Sequence, residues 1–271
     1  MTLITPVELA AMLASADPPA VLDVRWSGPA APGGGREEFE AGHVPRSQWI
    51  SADDELADRS KPGGRHPLPD RSAFQAVLRT HGVRGDRPVV ALDAANSQAA
   101  GRLWWMLVDA GLPEVHVLDG GFAAWQAAGL PVQAGPAEPV EPGDVVVAPP
   151  RMPVADADEV ADASRNIWDV RATERFSGRD EPIDPAAGHI PGAHNLPEQD
   201  NHRPDGRFRP VEELQKNFEG VRPGDIVYCG SGITAAQALL AMHVAGIDGV
   251  RLYPGSWSDW SSDPARPVAR D

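Results

Sequence analysis

The sequence predicts an α/β protein made of two tandem copies of one domain, each a mainly parallel sheet with helices on both faces. Three observations carry this expectation. The run Val21 to Arg25, ending Asp23-Val24-Arg25, is followed by the turn Gly42-His43-Val44-Pro45. Both return as Ile167 to Arg171, ending Asp169-Val170-Arg171, and Gly188-His189-Ile190-Pro191, with every shared Asp, Arg, Gly, His and Pro displaced by 146 positions. A second pair, Val115 to Trp125 and Val250 to Trp260, matches at Val, Gly and Trp with a displacement of 135. Solenoid repeats are much shorter, so this is a duplicated domain. Within each copy, short β-branched runs alternate with Ala- and Leu-rich runs, the pattern of parallel strands joined by helices.

Taken in order, Thr5-Pro6-Val7-Glu8 opens the first helix with an N-cap, a proline at the first helical position and a Glu at the third. Val89 to Asp93 and Ile226 to Cys229 read as corresponding central strands, each leading into an Ala-rich helix. The second of these helices runs from Thr234 to Ala245 and stops at Gly246. Between the copies, Gln133 to Pro153 is dense in Pro, Gly, Glu and Val and reads as a linker without a core of its own. The expected organisation is a first domain over residues 1–134, a linker over 135–152 and a second domain over 153–271.

Composition bounds the function. A chain of 271 residues suits two domains of ordinary size. A formal net charge of −15 argues against nucleic acid or an anionic membrane as partner, while leaving room for a small anionic substrate. No apolar run approaches the roughly 20 residues of a membrane span, and the N-terminus lacks a signal-peptide pattern. With one cysteine there is no internal disulfide framework, so the expectation is a cytoplasmic protein, and a monomer. No metal-ligand spacing and no G-x-G-x-x-G or Walker-type loop is present, so no cofactor or metal is expected.

That single cysteine carries the chemistry. Cys229 lies in Cys229-Gly230-Ser231-Gly232-Ile233-Thr234-Ala235, directly between a strand and a helix. A thiol there sees the N–H groups of a tight loop and the positive end of a helix dipole, and both favour thiolate. The two glycines let the loop curl so that its N–H groups face the sulfur. The alternatives are a buried structural thiol and a phosphatase loop of the form Cys-x5-Arg, whose arginine position holds Ala235. In the first copy the matching position is Asp93, within Val90-Ala91-Leu92-Asp93-Ala94-Ala95-Asn96. That copy has neither nucleophile nor glycine cradle, and is expected to serve as scaffold and as one wall of an active-site cleft.

These motifs resemble the tandem rhodanese-type sulfurtransferases over nearly the whole chain. His43-Val44-Pro45 and Gly188-His189-Ile190-Pro191-Gly192-Ala193 match the family's amino-terminal signature, and Tyr253 to Trp260 is similar to its carboxy-terminal one. The catalytic loop is similar to the Cys-Gly-Ser-Gly-x-Thr-Ala form of 3-mercaptopyruvate sulfurtransferases. Thiosulfate-preferring relatives carry Arg and Lys where this chain has Gly230 and Ser231. The resemblance implies a sulfurtransferase that moves a sulfane sulfur from 3-mercaptopyruvate to cyanide, a small thiol or a thioredoxin-like protein through a Cys229 persulfide. Thiosulfate:cyanide sulfur transfer and a slow persulfide carrier are the alternatives.

The resemblance also assigns residues. Gly230, Gly232, Ile233 and Thr234 would form the cradle loop, with Thr234 also capping the helix. Ser231 would contact the donor or relay a proton. Arg175 would bind the donor's anionic group, oriented by Glu181. The family's further Arg is missing, since Ile183 stands in its place, and Arg179 is a candidate substitute. His43 matches the family's catalytic histidine and equally reads as a repeated turn histidine, since His189 holds the same place in the second copy. The Asp-Val-Arg pairs recur in the copy without a nucleophile and read as structural.

Overall fold

The structure, a computed structural model, describes residues 2–28, 34–162 and 164–271. The chain folds into two compact units. The first comprises the chain up to Asp58, Pro69–Arg151 and the short excursion Arg203–Phe208; the second comprises Arg59–Leu68, Met152–His202 and Arg209–Asp271. Each unit thus contains one short segment embedded in sequence that otherwise belongs to the other. Phe208, for example, donates its N–H to Asp119 Oδ1 within the first unit at 2.9 Å.

In the first unit, the strands β1 (Leu3–Ile4), β2 (Ala20–Asp23), β3 (Gln48–Trp49), β4 (Val89–Leu92) and β5 (Val115–Leu118) form one sheet in the order β1-β5-β4-β2-β3. All pairings are parallel. The helices are α1 (Pro6–Leu13), α2 (Arg36–Ala41), α3 (Arg71–Thr80), α4 (Gln98–Asp109) and α5 (Gly121–Ala127). The capping box read from the sequence closes α1: Glu8 N–H donates to Thr5 Oγ1 at 3.2 Å, and Thr5 N–H to Glu8 Oε2 at 2.7 Å.

The second unit repeats the plan with α6 (Ala157–Ala161), β6 (Ile167–Asp169), α7 (Thr173–Phe176), β7 (Ala193–Asn195), α8 (Val211–Asn217), β8 (Ile226–Tyr228), α9 (Ile233–Val244), β9 (Arg251–Leu252) and α10 (Ser256–Trp260). Its sheet runs β7-β6-β8-β9, again all parallel. Both units are therefore α/β folds with helices on both faces of a parallel sheet, as the alternation implies.

The cores coincide position by position. Ile4, Leu9, Val21, Val44, Val90, Leu92, Leu118, Phe122 and Trp125 pack together in the first unit; Ala155, Val160, Ile167, Ile190, Ile226, Tyr228, Tyr253, Trp257 and Trp260 occupy the matching places in the second. Each closing Trp donates its indole N–H to a carbonyl of the following tail, Trp125 to Pro131 at 2.8 Å and Trp260 to Pro267 at 2.9 Å. The strand-end pairs are structural in both units. Arg25 meets Asp23 at 2.9 Å and lies over the Phe122 ring; Arg171 meets Asp169 at 2.6 Å and lies over Trp257. All four charged residues are buried, so each carboxylate keeps its arginine compensated in a low-dielectric site.

The Pro- and Gly-rich stretch after the first copy contains no helix or strand and is strapped to the first unit. Gly143 N–H donates to Arg79 O, Val145 N–H to Val83 O, and Ala148 N–H to Ala110 O.

Candidate active site

The sheet of the second unit places Cys229. From β6 the chain adds β7 on one side and returns to add β8 on the other, so the carboxyl ends of β6 and β8 flank a topological switch point, where α/β sheets bind ligands. Asp169 lies opposite Tyr228 there, and Cys229 is the next residue. Cys229 is buried, and its backbone is fixed on both sides: its N–H donates to Ser256 Oγ at 3.1 Å and its carbonyl accepts from Trp257 N–H at 2.9 Å. Gly232 N–H donates to Cys229 Sγ at 3.2 Å. Gly232 holds φ 81°, a left-handed conformation that glycine adopts freely, and it is the N-cap of α9. That helix points its N-terminus at the loop, and the sulfur sits where its positive end lies.

Two parts of the loop differ from expectation. Thr234 does not cap α9; the cap is Gly232, with no side-chain capping bond, and Thr234 lies inside the first turn because the helix begins one residue earlier, at Ile233. Gly230 does not take a left-handed conformation. Its need is space: a Cβ there would come within 3.0 Å of Arg65 Nη2 and 3.3 Å of Arg175 Nη1.

Ser231 is buried, and its Oγ lies 2.8 Å from His66 Nδ1. The histidine on this serine is thus His66, 165 residues away in sequence, and not His43. His43 packs in the first unit as His189 packs in the second. The His43 ring stacks on Phe39 at 3.9 Å with Nδ1 bonded to Phe39 O, and the His189 ring stacks on Phe176 at 3.8 Å with Nδ1 bonded to Phe176 O. Each pairs its backbone with a returning tail, His43 with Gln133 and His189 with Ala269. Burial holds the His43 pKa below its ordinary value, so the ring is neutral at pH 7. This is a turn histidine used twice.

Around Gly230 lies a compact group of charges. Arg175 donates from Nη2 to Glu181 Oε1 at 2.8 Å and to Asp184 Oδ2 at 3.0 Å. Arg65 pairs through Nη1 with the other oxygen of Asp184, so one carboxylate bridges two guanidinium groups. Glu181 also receives Arg171 Nη1 at 3.2 Å. Burial pushes Glu181 upward, but hydrogen bonds from Arg175 and from the Asp184 and Ile183 N–H groups outweigh it and leave its carboxyl below the ordinary range. Burial raises Asp184 above its ordinary value against the attraction of both arginines. Arg179 turns instead to Ser177 Oγ, at 2.9 Å.

Sequence reasoning named Cys229, Gly230, Ser231 and Gly232 on one loop and Arg175 on a separate segment, which the structure brings beside Gly230, and it missed Arg65, His66 and Asp184. The first two lie in Gly63-Gly64-Arg65-His66-Pro67, a loop-forming stretch with no periodicity. An Arg-His dipeptide in such a stretch was the one available signal. The segment is tethered by Arg65 N–H, which donates to Ser258 Oγ at 3.0 Å. Among the described residues, no group of His, Cys, Asp and Glu is arranged to hold a metal ion, and no helix is long and apolar enough to cross a membrane.

A duplicated parallel α/β unit with a cysteine loop at the switch point of its second copy defines the class. Residues 5–128 and 155–263 each match the rhodanese-like domain, and the chain belongs to the rhodanese-like family. It is a sulfurtransferase by its relatives: it is 41% identical to "Putative thiosulfate sulfurtransferase SseB" of Mycobacterium tuberculosis, over 99% of this chain and 96% of that one. It is 40% identical to "Probable 3-mercaptopyruvate sulfurtransferase" of Pseudomonas aeruginosa, over 98% and 97%. Its fold superposes on the crystal structure of the 3-mercaptopyruvate sulfurtransferase SseA from Escherichia coli with a TM-score of 0.84 and 31% identity, covering 95% of this chain and 100% of that one.

Proposed function

We propose that this sulfurtransferase takes its sulfur from 3-mercaptopyruvate and passes it, through a Cys229 persulfide, to cyanide, a small thiol or a thioredoxin-like protein. The observation that carries the donor assignment is the hydrogen bond between Ser231 Oγ and His66 Nδ1, 2.8 Å long and two residues from the nucleophile. The Cys229 thiolate attacks the donor's sulfur; an S–S bond forms and the donor's C–S bond breaks, its electron pair staying on carbon as the pyruvate enolate. An enolate must be protonated to become pyruvate, and a buried hydroxyl backed by a histidine can deliver that proton and be resupplied. Sulfite, the leaving group from thiosulfate, has no carbon to protonate and gains little from such a couple.

The outer sulfur keeps the donor's thiol hydrogen until the acceptor attacks it, releasing Cys229 as thiolate and giving thiocyanate or a new persulfide. This is covalent catalysis in two half-reactions, with ping-pong kinetics. The N–H of Gly232 on Sγ supports the anionic sulfur in both. Gly230 and Ser231 carry no cation, yet Arg65 and Arg175 crowd the face of Gly230, so local positive charge accommodates either anion. The proton relay is what favours mercaptopyruvate. In steady state with cyanide as acceptor, kcat/KM for mercaptopyruvate should exceed that for thiosulfate by about tenfold or more, the factor that some 1.4 kcal/mol of differential transition-state stabilisation gives. Equal or better turnover of thiosulfate overturns the donor assignment and leaves the sulfurtransferase class.

A further inference from the structure

The family's second donor-binding arginine is missing from the sequence where it is expected, Ile183 standing there, and the fold returns a guanidinium from elsewhere. We propose that Arg65 is the second cation of the donor site, gripping together with Arg175 the carboxylate end of an α-keto acid donor over the face of Gly230. This rests on the donor reading above.

Three observations place it. The guanidinium nitrogens nearest the built Cβ position of Gly230 are Arg65 Nη2 at 3.0 Å and Arg175 Nη1 at 3.3 Å, and Gly230 adjoins the nucleophile. These same two nitrogens make none of the hydrogen bonds to Asp184 or Glu181. Arg65 uses Nη1 for Asp184, while Arg175 uses Nε and Nη2 for its two carboxylates. Each guanidinium is therefore anchored on one edge and has N–H groups left over on the edge that faces the loop. Arg65 Nε is in addition buried without a hydrogen-bond partner.

Asp184 is what makes the pair a site. Two guanidinium groups side by side repel, and a carboxylate with one oxygen on each holds them at fixed spacing. Arg65 is also the neighbour of His66, so one tethered segment sets both the clamp and the proton relay: residue 65 at the carboxylate end of the donor, residue 66 at its carbonyl end through Ser231. A side chain at 230 would press on the volume that the Arg65 guanidinium occupies.

The test uses the full-length protein with Cys229→Ser, which binds donors without consuming them, and isothermal titration with mercaptopyruvate and, separately, thiosulfate. Adding Arg65→Ala should weaken mercaptopyruvate binding by about tenfold or more, the loss expected for hydrogen bonds to a charged group. Arg65→Lys, a point charge in place of a fork, should recover part of it. In otherwise wild-type protein, Arg65→Ala should raise KM for mercaptopyruvate far more than it lowers kcat, and the preformed persulfide should react with cyanide at an unchanged rate. A purely structural role for Arg65 would disturb both half-reactions. A folded Arg65→Ala protein that binds mercaptopyruvate within twofold of its parent overturns the inference; where that variant does not fold, unchanged binding by Arg65→Lys does the same. Tight, Arg65-dependent binding of thiosulfate with none of mercaptopyruvate supports the two-arginine site and sinks the donor reading. Binding of neither anion sinks both.

Discussion

The loop after β4 and the loop after β8 hold the same place in their units and differ in what fills them. Their frames are alike: Phe122 N–H donates to Asp93 O and Ala123 N–H to Ala94 O in one, Trp257 N–H to Cys229 O and Ser258 N–H to Gly230 O in the other. In the first unit the side chain of Asp93 turns back into its own loop. Its Oδ1 accepts from Ala95 and Ser97 N–H and its Oδ2 from Ala99 and Ala100 N–H, at 3.0–3.2 Å. The first copy has no glycine cradle, as the sequence implies, but its loop still forms an anion cradle from backbone N–H groups, occupied by a carboxylate of the chain itself. The second loop is one residue shorter before its helix, turns at Gly232 where the first turns at a left-handed Ser97, and leaves the cradle to a thiol.

A second exchange accompanies this one. Gly121, at φ 56°, corresponds to Ser256, at φ 54°. The left-handed position is kept, and the second unit accepts a side chain there because its hydroxyl holds the Cys229 N–H. The duplicated frame supplies the anion cradle in both units, and on the proposed function three further groups in the second unit, the thiol, the Ser231–His66 couple and the paired arginines, supply the chemistry.

The largest effect tests the nucleophile. Cys229→Ser should abolish transfer, because a serine hydroxyl is un-ionised at neutral pH and the chain has no other cysteine. Mass spectrometry after donor addition should find one added sulfur on the wild type and none on the variant. Adding Asp93→Cys to that variant should restore nothing, since Ala95 stands where Ser231 does in the second loop; turnover regained there would mean that the first cradle alone can activate a thiol.

Next in size is the relay. His66→Ala should lower kcat/KM for mercaptopyruvate by about 10²-fold, the lower range for loss of general acid–base assistance, and lower it far less for thiosulfate. His43→Ala should change the ratio between the two donors little while lowering the melting temperature, as His189→Ala should. A donor ratio that moves with His43 and not His66 would reassign the catalytic histidine.

The smallest effect concerns the filled cradle. Complete burial raises the Asp93 pKa from 3.8 to about 6 in spite of its four N–H donors. A carboxyl raised in the folded state contributes stability that is fully present below pH 4 and lost as pH rises through 6. The loss amounts to at most about 3 kcal/mol, from roughly two pKa units at 1.36 kcal/mol each. Denaturant unfolding between pH 4 and 6.5 should show this fall, and Asp93→Asn should flatten it. Stability that climbs over the same range would mean that the backbone donors outweigh burial.

What the sequence determined by itself is what depends on neighbours in the chain. The capping box Thr5–Glu8 forms from four consecutive residues, and the 146-residue repeat announces two like folds because equal local patterns bury equal faces. Cys229 was legible for the same reason: strand, loop and helix N-terminus are contiguous. Thr234 missed being the cap by two residues, Gly232 taking that place, a margin that local pattern does not resolve. Only the tertiary structure could decide that Arg65 meets Asp184 across 119 positions and His66 meets Ser231 across 165. Such pairings are selected by which loop can reach a strand end once the sheets are built. Their free energy comes from satisfying buried charges and hydroxyls in a site that exists only after folding, and it leaves no periodic trace along the chain.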